Sequence, residues 1–177
     1  LWLQTEIGQI TQRDGRFHVD LLRAGRRISV EATHLVVATG GKSIPKMGAT
    51  GRAYAIAEAF GHRVTETRPA LVPFTFGETL ADLKALAGLS VDGRVTTGGT
   101  SFDEAILFTH RGLSGPAILQ ISSYWREGEE ICLDLAPRID LGDALAMEKR
   151  HGGRKQVATA LEGHLPQRLA AEMSARL

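Results

Sequence analysis

The sequence predicts an α/β fold with a β-rich insertion and a small helical subdomain, and three features predict it. An apolar run, Leu35-Val36-Val37-Ala38, ends in Thr39-Gly40-Gly41. It is too short to cross a membrane and reads as a strand buried on both faces, as in a parallel sheet. Before it, three segments alternate apolar and polar residues between turn signals, the pattern of an antiparallel meander. After it, a connection at residues 68–73 with two prolines leads into further strand signals and then into helical spacing.

The elements follow in order. Residues 1–10 have strand character, with Leu3, Thr5 and Ile7 on alternate positions. Arg13-Asp14-Gly15 is a turn, Phe17, Val19 and Leu21 alternate with polar neighbours, and Ala24-Gly25 turns the chain into Ile28 and Val30. Gly40 and Gly41 lack Cβ atoms and let backbone approach a ligand such as a nucleotide's phosphates or sugar, outside the carboxyl end of the strand where open α/β sheets bind ligands. The alternative is a plain turn leaving a core strand. Gly41-Lys42-Ser43 matches the tail of a P-loop, but the required first glycine falls on Val36 and Pro45 intrudes on the helix start.

Beyond it lies a loop with Gly48, Thr50 and Gly51. Thr50 reads as the N-cap of a helix through Ala53, Tyr54, Ile56, Ala57 and Phe60, stopped by Gly61, whose free amides either face an anion or simply begin a packed helix. Residues 68–73 read as the exit from the first domain. Thr79 is expected to cap a short helix carrying Leu80, Leu83 and Leu86, closed by Gly88. Strands are expected at 90–97 and 105–109 around a Gly98-Gly99 turn. A helix with Ile118, Ile121 and Trp125 then precedes a strand around Cys132, and Asp140 and Pro166 open helices of an α subdomain. These readings divide the chain into 1–68, 69–137 and 138–177. The chain starts without methionine inside a strand pattern and stops inside a helical one, so it reads as an internal piece.

Composition narrows the chemistry. A net charge of +1 supplies no electrostatic reason to expect nucleic acid or a membrane as the main partner. The lone Cys132 can make neither an internal disulfide nor a CxxC centre; it reads as a buried, inert thiol in a reducing, cytoplasmic compartment. No histidine–carboxylate spacing suggests a metal. Gly112-Leu113-Ser114-Gly115-Pro116 approximates a hydrolase elbow, but Pro116 replaces the last glycine. A helix entry, capped by Gly115 or Ser114 with Pro116 in the first turn, is the simpler account. His110 is a candidate proton donor, with a structural role as its alternative. The basic stretch at 149–155 (Lys149, Arg150, His151, Arg154 and Lys155) could contact a polyanion, but nearby Glu148 and Glu162 dilute it and a solvated loop explains it, so nucleic acid is expected to be an unlikely partner.

The order meander, buried strand, Ala-Thr-Gly-Gly resembles the second half of the FAD domain in glutathione-reductase-like flavoproteins. The strings Ala38-Thr39-Gly40-Gly41-Lys42-Ser43-Ile44-Pro45, Gly48-Ala49-Thr50-Gly51, Gly61-His62 and Pro69-Ala70-Leu71-Val72-Pro73 are similar to the BaiN/YhiN-like flavoproteins. So are Leu107-Phe108-Thr109-His110-Arg111-Gly112-Leu113-Ser114-Gly115-Pro116 and the helical Leu161-Glu162-Gly163-His164-Leu165-Pro166. Ala49 departs from the serine common in that family. The resemblance implies an FAD domain interrupted by a β-barrel-like domain with a helical insert, the Gly-x-Gly-x-x-Gly turn lying upstream and the return to the FAD domain downstream. It implies FAD contacts from Ile7, Ala38, Thr39, Gly40, Gly41, Gly48, Thr50 and Gly51. It also implies an oxidoreductase in which NAD(P)H reduces FAD and FAD reduces an unsaturated organic small molecule. A non-catalytic or regulatory flavoprotein, and a nucleic-acid-binding module working through 149–155, are the alternatives.

Overall fold

Tight two-residue turns set the register of both antiparallel sheets. The computed structural model describes residues 1–151 and 156–176, and the chain falls into two units, Leu1–Thr67 and Arg68–Leu177.

In the first unit β1 (Thr5–Arg13), β2 (Arg16–Arg23) and β3 (Arg26–Ala32) form an antiparallel sheet in sequence order. Its turns place Arg13 opposite Arg16 and Arg23 opposite Arg26. Asp14 and Gly15 have φ of 50° and 76°, and Ala24 and Gly25 have 47° and 74°. Two successive positive φ values give the turn whose twist matches the flanking strands. The ladder of β1 is broken by a bulge, where Gly8 and Gln9 together face Asp20. A Cβ on Gly8 would lie 3.0 Å from the Asp20 carbonyl oxygen, so this close approach favours glycine. Helix α1 (Arg52–Ala59) ends with Gly61 at φ 83°, its N–H donating to the Glu58 carbonyl at 2.9 Å while that of His62 donates to Ala57 at 3.0 Å. Phe60, just past the helix, meets Phe17 of β2 edge-on at 5.7 Å.

Two expectations for this unit are corrected. Residues 35–39 form no strand, and Val36 is 85% exposed. A two-sided parallel strand needs a neighbour on each edge, and the described residues supply neither, so the apolar run joins no sheet and stays largely solvated. Among the described residues every strand pair is antiparallel, so the parallel strand expected of the α/β class is not found there. The N-cap of α1 is Gly51, without a side-chain cap bond. Thr50 sits one residue earlier, where its hydroxyl accepts from the Arg52 N–H at 3.4 Å.

The second unit is an open half-barrel. Strands β4 (Phe74–Thr75), β5 (Ser90–Thr97), β6 (Thr100–Phe108), β7 (Gly112–Ser114) and β8 (Cys132–Asp134) lie in the order β4-β7-β6-β5-β8, all antiparallel. Gly98 and Gly99, with φ of 52° and 80°, close the β5–β6 hairpin and set Thr97 opposite Thr100. From that register Val95, Ile106 and Phe108 point inward, where they meet Ala117, Ile118 and Ile121 of α2 (Pro116–Ile121). The core continues into α3 (Leu141–Arg150), α4 (Val157–Leu161) and α5 (Gln167–Ala175) through Leu161, Leu165, Leu169 and Ala170. Asp140 caps α3 by accepting the Asp143 N–H at 2.9 Å, and Pro166 begins α5. Arg168 on α5 donates to the carbonyls of Ala85 and Ala87, tying the helices to the loop before β5. Among the described residues no helix is long and apolar enough to cross a membrane.

Two local readings change in this unit, at Thr79 and Cys132, and the choice between Gly115 and Ser114 as the cap of α2 falls to Gly115. Thr79 caps nothing: Glu78–Leu86 is a 3₁₀ segment entered from Gly77 and kinked at Leu80. Ser114 belongs to β7 opposite Leu107, and the N-cap of α2 is Gly115 at φ 94°. A Cβ there would lie 2.6 Å from the Ala105 carbonyl oxygen, so α2 can start this close to β6 only from glycine. Cys132 is exposed rather than buried, because β8 is the edge strand and its residue pattern turns Leu133 inward instead.

Gly112 is buried and faces Thr75 across the β4–β7 pair, where a Cβ would run into the Phe74 carbonyl oxygen. Gly112→Ala should therefore destabilise the second unit by about 3 kcal/mol, because backbone rather than a flexible side chain must move. Chemical denaturation read from the Trp125 environment checks this.

Candidate functional site

Two groups of residues present chemistry. The first surrounds the start of α1. Gly40 is exposed at φ 69°, with open space where a Cβ would stand. Gly41 packs under Tyr54, whose hydroxyl would be 2.9 Å from an added Cβ. Lys42 lies over the same ring, its Nζ 5.5 Å from the centroid and 3.5 Å from the Thr67 hydroxyl, where the ammonium donates. A Cβ on Gly51 would meet the Lys42 Cε at 3.0 Å. Thus Gly41, Lys42, Gly51 and Tyr54 form one tight knot at the helix entrance.

Ile7 joins this region through its backbone. The Arg52 guanidinium donates to the carbonyls of Ile7 and Gly8, the latter at 2.9 Å, at the bulge where strand pairing is interrupted. Gly48 ends a 3₁₀ turn at Pro45–Met47 with φ 84°, and its N–H donates to the Pro45 carbonyl at 3.0 Å. Ala38 and Thr39 lie in that exposed segment. The structure therefore gathers Gly41 and Gly51 around Tyr54 and ties Ile7 to the same helix, while Ala38, Thr39, Gly40, Gly48 and Thr50 face solvent. A backbone run opening into free space at Gly40, beside a helix entrance and a lysine, fits the approach of a dinucleotide.

Sequence reasoning missed Lys42, Arg52 and Tyr54. A basic residue at the first helical position, just beyond a glycine-rich loop, was the available signal. Its use is visible only where the bulge frees two carbonyls.

The second group lies on the half-barrel. His110 and Arg111 are exposed at the tip of the β6–β7 turn. The turn is held by Thr109, whose hydroxyl donates to the Gly112 carbonyl at 2.9 Å and accepts the N–H groups of Arg111 at 3.2 Å and Gly112 at 3.0 Å. The Arg111 carbonyl in turn accepts the Phe76 N–H at 2.9 Å. His110 is thus presented outward on a rigid turn. Across the β5–β6 hairpin, Arg94 grips Asp103 with two bonds of 2.6 and 2.7 Å. That grip, mainly through the hydrogen bonds, holds the Asp103 carboxyl below its usual range and raises Arg94. The pair's contribution is present at neutral pH and fades as pH falls through the lowered Asp103 value. It borders a cleft of about 480 Å³ that also includes Arg138 and His164. Among the described residues no cluster of His, Cys, Asp or Glu could hold a metal ion.

Of the basic stretch at 149–155, Lys149 and Arg150 are exposed on the last turn of α3, and His151 follows with its Nδ1 2.8 Å from the Met147 carbonyl. Residues 152–155 lie outside the described residues.

An antiparallel half-barrel followed along the chain by a cluster of short helices defines a barrel-and-helix domain in the second unit. The chain belongs to the HI0933-like family: the model of the HI0933-like protein barrel and H2TH domain matches residues 68–177, and the BaiN/YhiN-like flavoproteins fall in the same family. Two curated relatives carry the same name. The ribosomal RNA dihydrouridine synthase of Escherichia coli (strain K12) is 42% identical over 173 residues, covering 97% of this chain and 42% of the relative. That of Haemophilus influenzae (strain ATCC 51907 / DSM 11121 / KW20 / Rd) is 39% identical over 168 residues, covering 94% of this chain and 42% of the relative. The chain thus spans about two-fifths of the length of these relatives.

These relatives correct two expectations. Their name assigns them ribosomal RNA, whereas the family resemblance implied an NAD(P)H-driven reduction of a small unsaturated molecule and the charge pattern made nucleic acid an unlikely partner. A net charge of +1 misleads here because a global balance says nothing about where the charges sit.

Thr109→Val keeps the side-chain shape but leaves two backbone N–H groups without their acceptor. We expect a loss of about 1–3 kcal/mol, with faster amide exchange at Arg111 and Gly112. Hydrogen exchange measured by mass spectrometry checks it.

Proposed function

We propose that the chain is part of an enzyme that acts on ribosomal RNA, saturating a uridine to dihydrouridine. The observation that carries this reading is the identity of 42% and 39% to two proteins of that name, extending over nearly the whole chain. A flavin is the cofactor suited to the reaction, since saturating the uracil C5–C6 double bond consumes two electrons and two protons and a reduced flavin supplies a hydride. In this reading residues 1–68 are part of an FAD-binding region. The backbone at Ala38, Thr39, Gly40 and Gly41 approaches the dinucleotide, Gly48, Thr50 and Gly51 border it, and Ile7 lies beside the adenine. NAD(P)H is the proposed reductant of the flavin.

The remaining residues serve the RNA. The half-barrel, residues 69–137, presents His110 and Arg111 on their rigid turn, where His110 is a candidate donor of the proton that completes uracil reduction. The helical region, 138–177, carries the basic stretch at 149–155, and Lys149 and Arg150 at the end of α3 are exposed cations suited to phosphates. Polyanion binding by this stretch is therefore favoured over the small-molecule reading.

Deleting the gene and measuring dihydrouridine in ribosomal RNA by nucleoside mass spectrometry tests the proposal. Dihydrouridine should disappear from one ribosomal RNA and return on complementation; an unchanged content would overturn the reading. For the cofactor site, Gly40→Val in the full-length protein should cut flavin content severalfold, because a branched side chain fills the space that the dinucleotide needs. Absorbance in the flavin band, measured against protein concentration, checks it.

A further inference from the structure

The β2–β3 hairpin carries a charge arrangement that the fold itself does not require. Arg23 and Arg26 stand directly opposite each other across its turn, and Arg27 follows opposite Leu22. All three are exposed. Like charges directly opposed across a ladder destabilise a hairpin. Among the described residues none of the three has a salt-bridge partner, whereas Arg16 on the same sheet is paired with Glu31 at 2.8 Å. The turn between them adds Ala24 at φ 47°, a left-handed conformation that a side chain disfavours. Three unneutralised guanidinia on a strained tip are poor choices for stability.

An aromatic ring completes the arrangement. The Arg23 guanidinium lies over the Trp2 indole at 5.3 Å from the ring centroid. Trp2 is still 49% exposed, so the cation over its ring leaves the residue open to solvent. Beside the tip, Leu22 is exposed. Neighbouring cations next to an open aromatic face are the elements with which proteins hold single-stranded nucleic acid. The cations meet the phosphate backbone and a base stacks on the ring.

We propose that this hairpin is an RNA-contact surface, in which Arg26 and Arg27 bind phosphates and Trp2, steadied by Arg23, stacks on an unpaired base. It lies in the first unit, apart in sequence from the basic stretch at 149–155, and it deepens the ribosomal RNA reading on which it rests. Its chemistry selects an unpaired RNA segment over an acidic protein. Carboxylates would satisfy the arginines but leave the indole without a partner.

The test uses the full-length protein and a fluorescein-labelled single-stranded segment of ribosomal RNA, followed by fluorescence anisotropy over a salt series. Arg26→Gln combined with Arg27→Gln should weaken binding at least about tenfold and reduce the slope of log K against log salt by about 1.4, or about 0.7 for each phosphate no longer neutralised. Trp2→Ala should weaken RNA binding about tenfold while leaving elution from heparin unchanged, since heparin offers charge but no base. The double variant should keep its flavin and melt at the same temperature or higher, because an unfavourable charge cluster is relieved. Arg26→Lys with Arg27→Lys, which keeps both charges, should retain the wild-type salt slope. Wild-type RNA affinity and slope in the double glutamine variant would overturn the proposal. So would an unchanged affinity for RNA accompanied by the release of a bound acidic protein. Those failures are distinct from failure of the parent reading, which shows as unaltered dihydrouridine after gene deletion.

Discussion

The register of the β5–β6 hairpin is the constraint on which the second unit depends. Gly98 and Gly99 both adopt positive φ, which places Thr97 opposite Thr100 and every later pair in turn. A slip of one residue would turn Val95, Ile106 and Phe108 to solvent and present their polar neighbours to α2. With the register set, Ala117, Ile118 and Ile121 close over the sheet, and burial of these side chains, each contributing on the order of 1.5–3 kcal/mol for the larger ones, holds the unit together. Close approach then sets the glycines: Gly115 lets α2 start against β6, and Gly112 lets β4 pair with β7. Gly93 likewise leaves room for the Asp134 carbonyl, which would lie 2.7 Å from a Cβ there, as β8 joins the edge.

The first unit sets a sheet that pairs within itself beside an apolar run that joins no sheet among the described residues. The meander is self-sufficient, because three strands joined by tight turns pair with one another. The apolar run at 35–39 is not, because a lone segment can neither satisfy its backbone through a ladder nor bury both of its faces. The glycine-rich loop beyond it is nevertheless organised. Tyr54 and Lys42 lock Gly41 and Gly51, and Arg52 engages the carbonyls freed by the β1 bulge. Local order at a helix entrance therefore does not need the strand that leads into it.

The functional reading turns on where charge is placed rather than on how much there is. With Lys and Arg at 21 against 20 Asp and Glu, the chain is almost neutral. Part of that charge is neutralised in pairs such as Arg16 with Glu31 and Arg94 with Asp103. The end of α3 and the β2–β3 tip leave cations exposed. A substrate with a phosphate backbone meets such local patches and is insensitive to the distant carboxylates that cancel them in the sum, because solvent and salt largely screen charges more than about 10 Å away.

The sequence by itself determined the features that depend on neighbours along the chain. These are the two-residue turns at Asp14-Gly15, Ala24-Gly25 and Gly98-Gly99, the stop at Gly61, the cap at Asp140 and the proline entries to α2 and α5. Backbone dihedrals and capping bonds are settled within a few residues, so residue type reveals them. The motif strings likewise revealed the family to which the chain belongs. Only the tertiary structure decided what hangs on distant partners. Leu35 to Thr39 matches a strand in pattern but finds no ladder, and Thr50 and Thr79 have the chemistry of caps for helices that begin elsewhere. Cys132 lies in an apolar string but on the outward side of an edge strand. Arg52 and Arg23 take their roles from a bulge carbonyl and an indole far away along the chain. Pairing across a sheet and the neutralisation of charge in salt bridges are long-range choices, and a local pattern leaves them open.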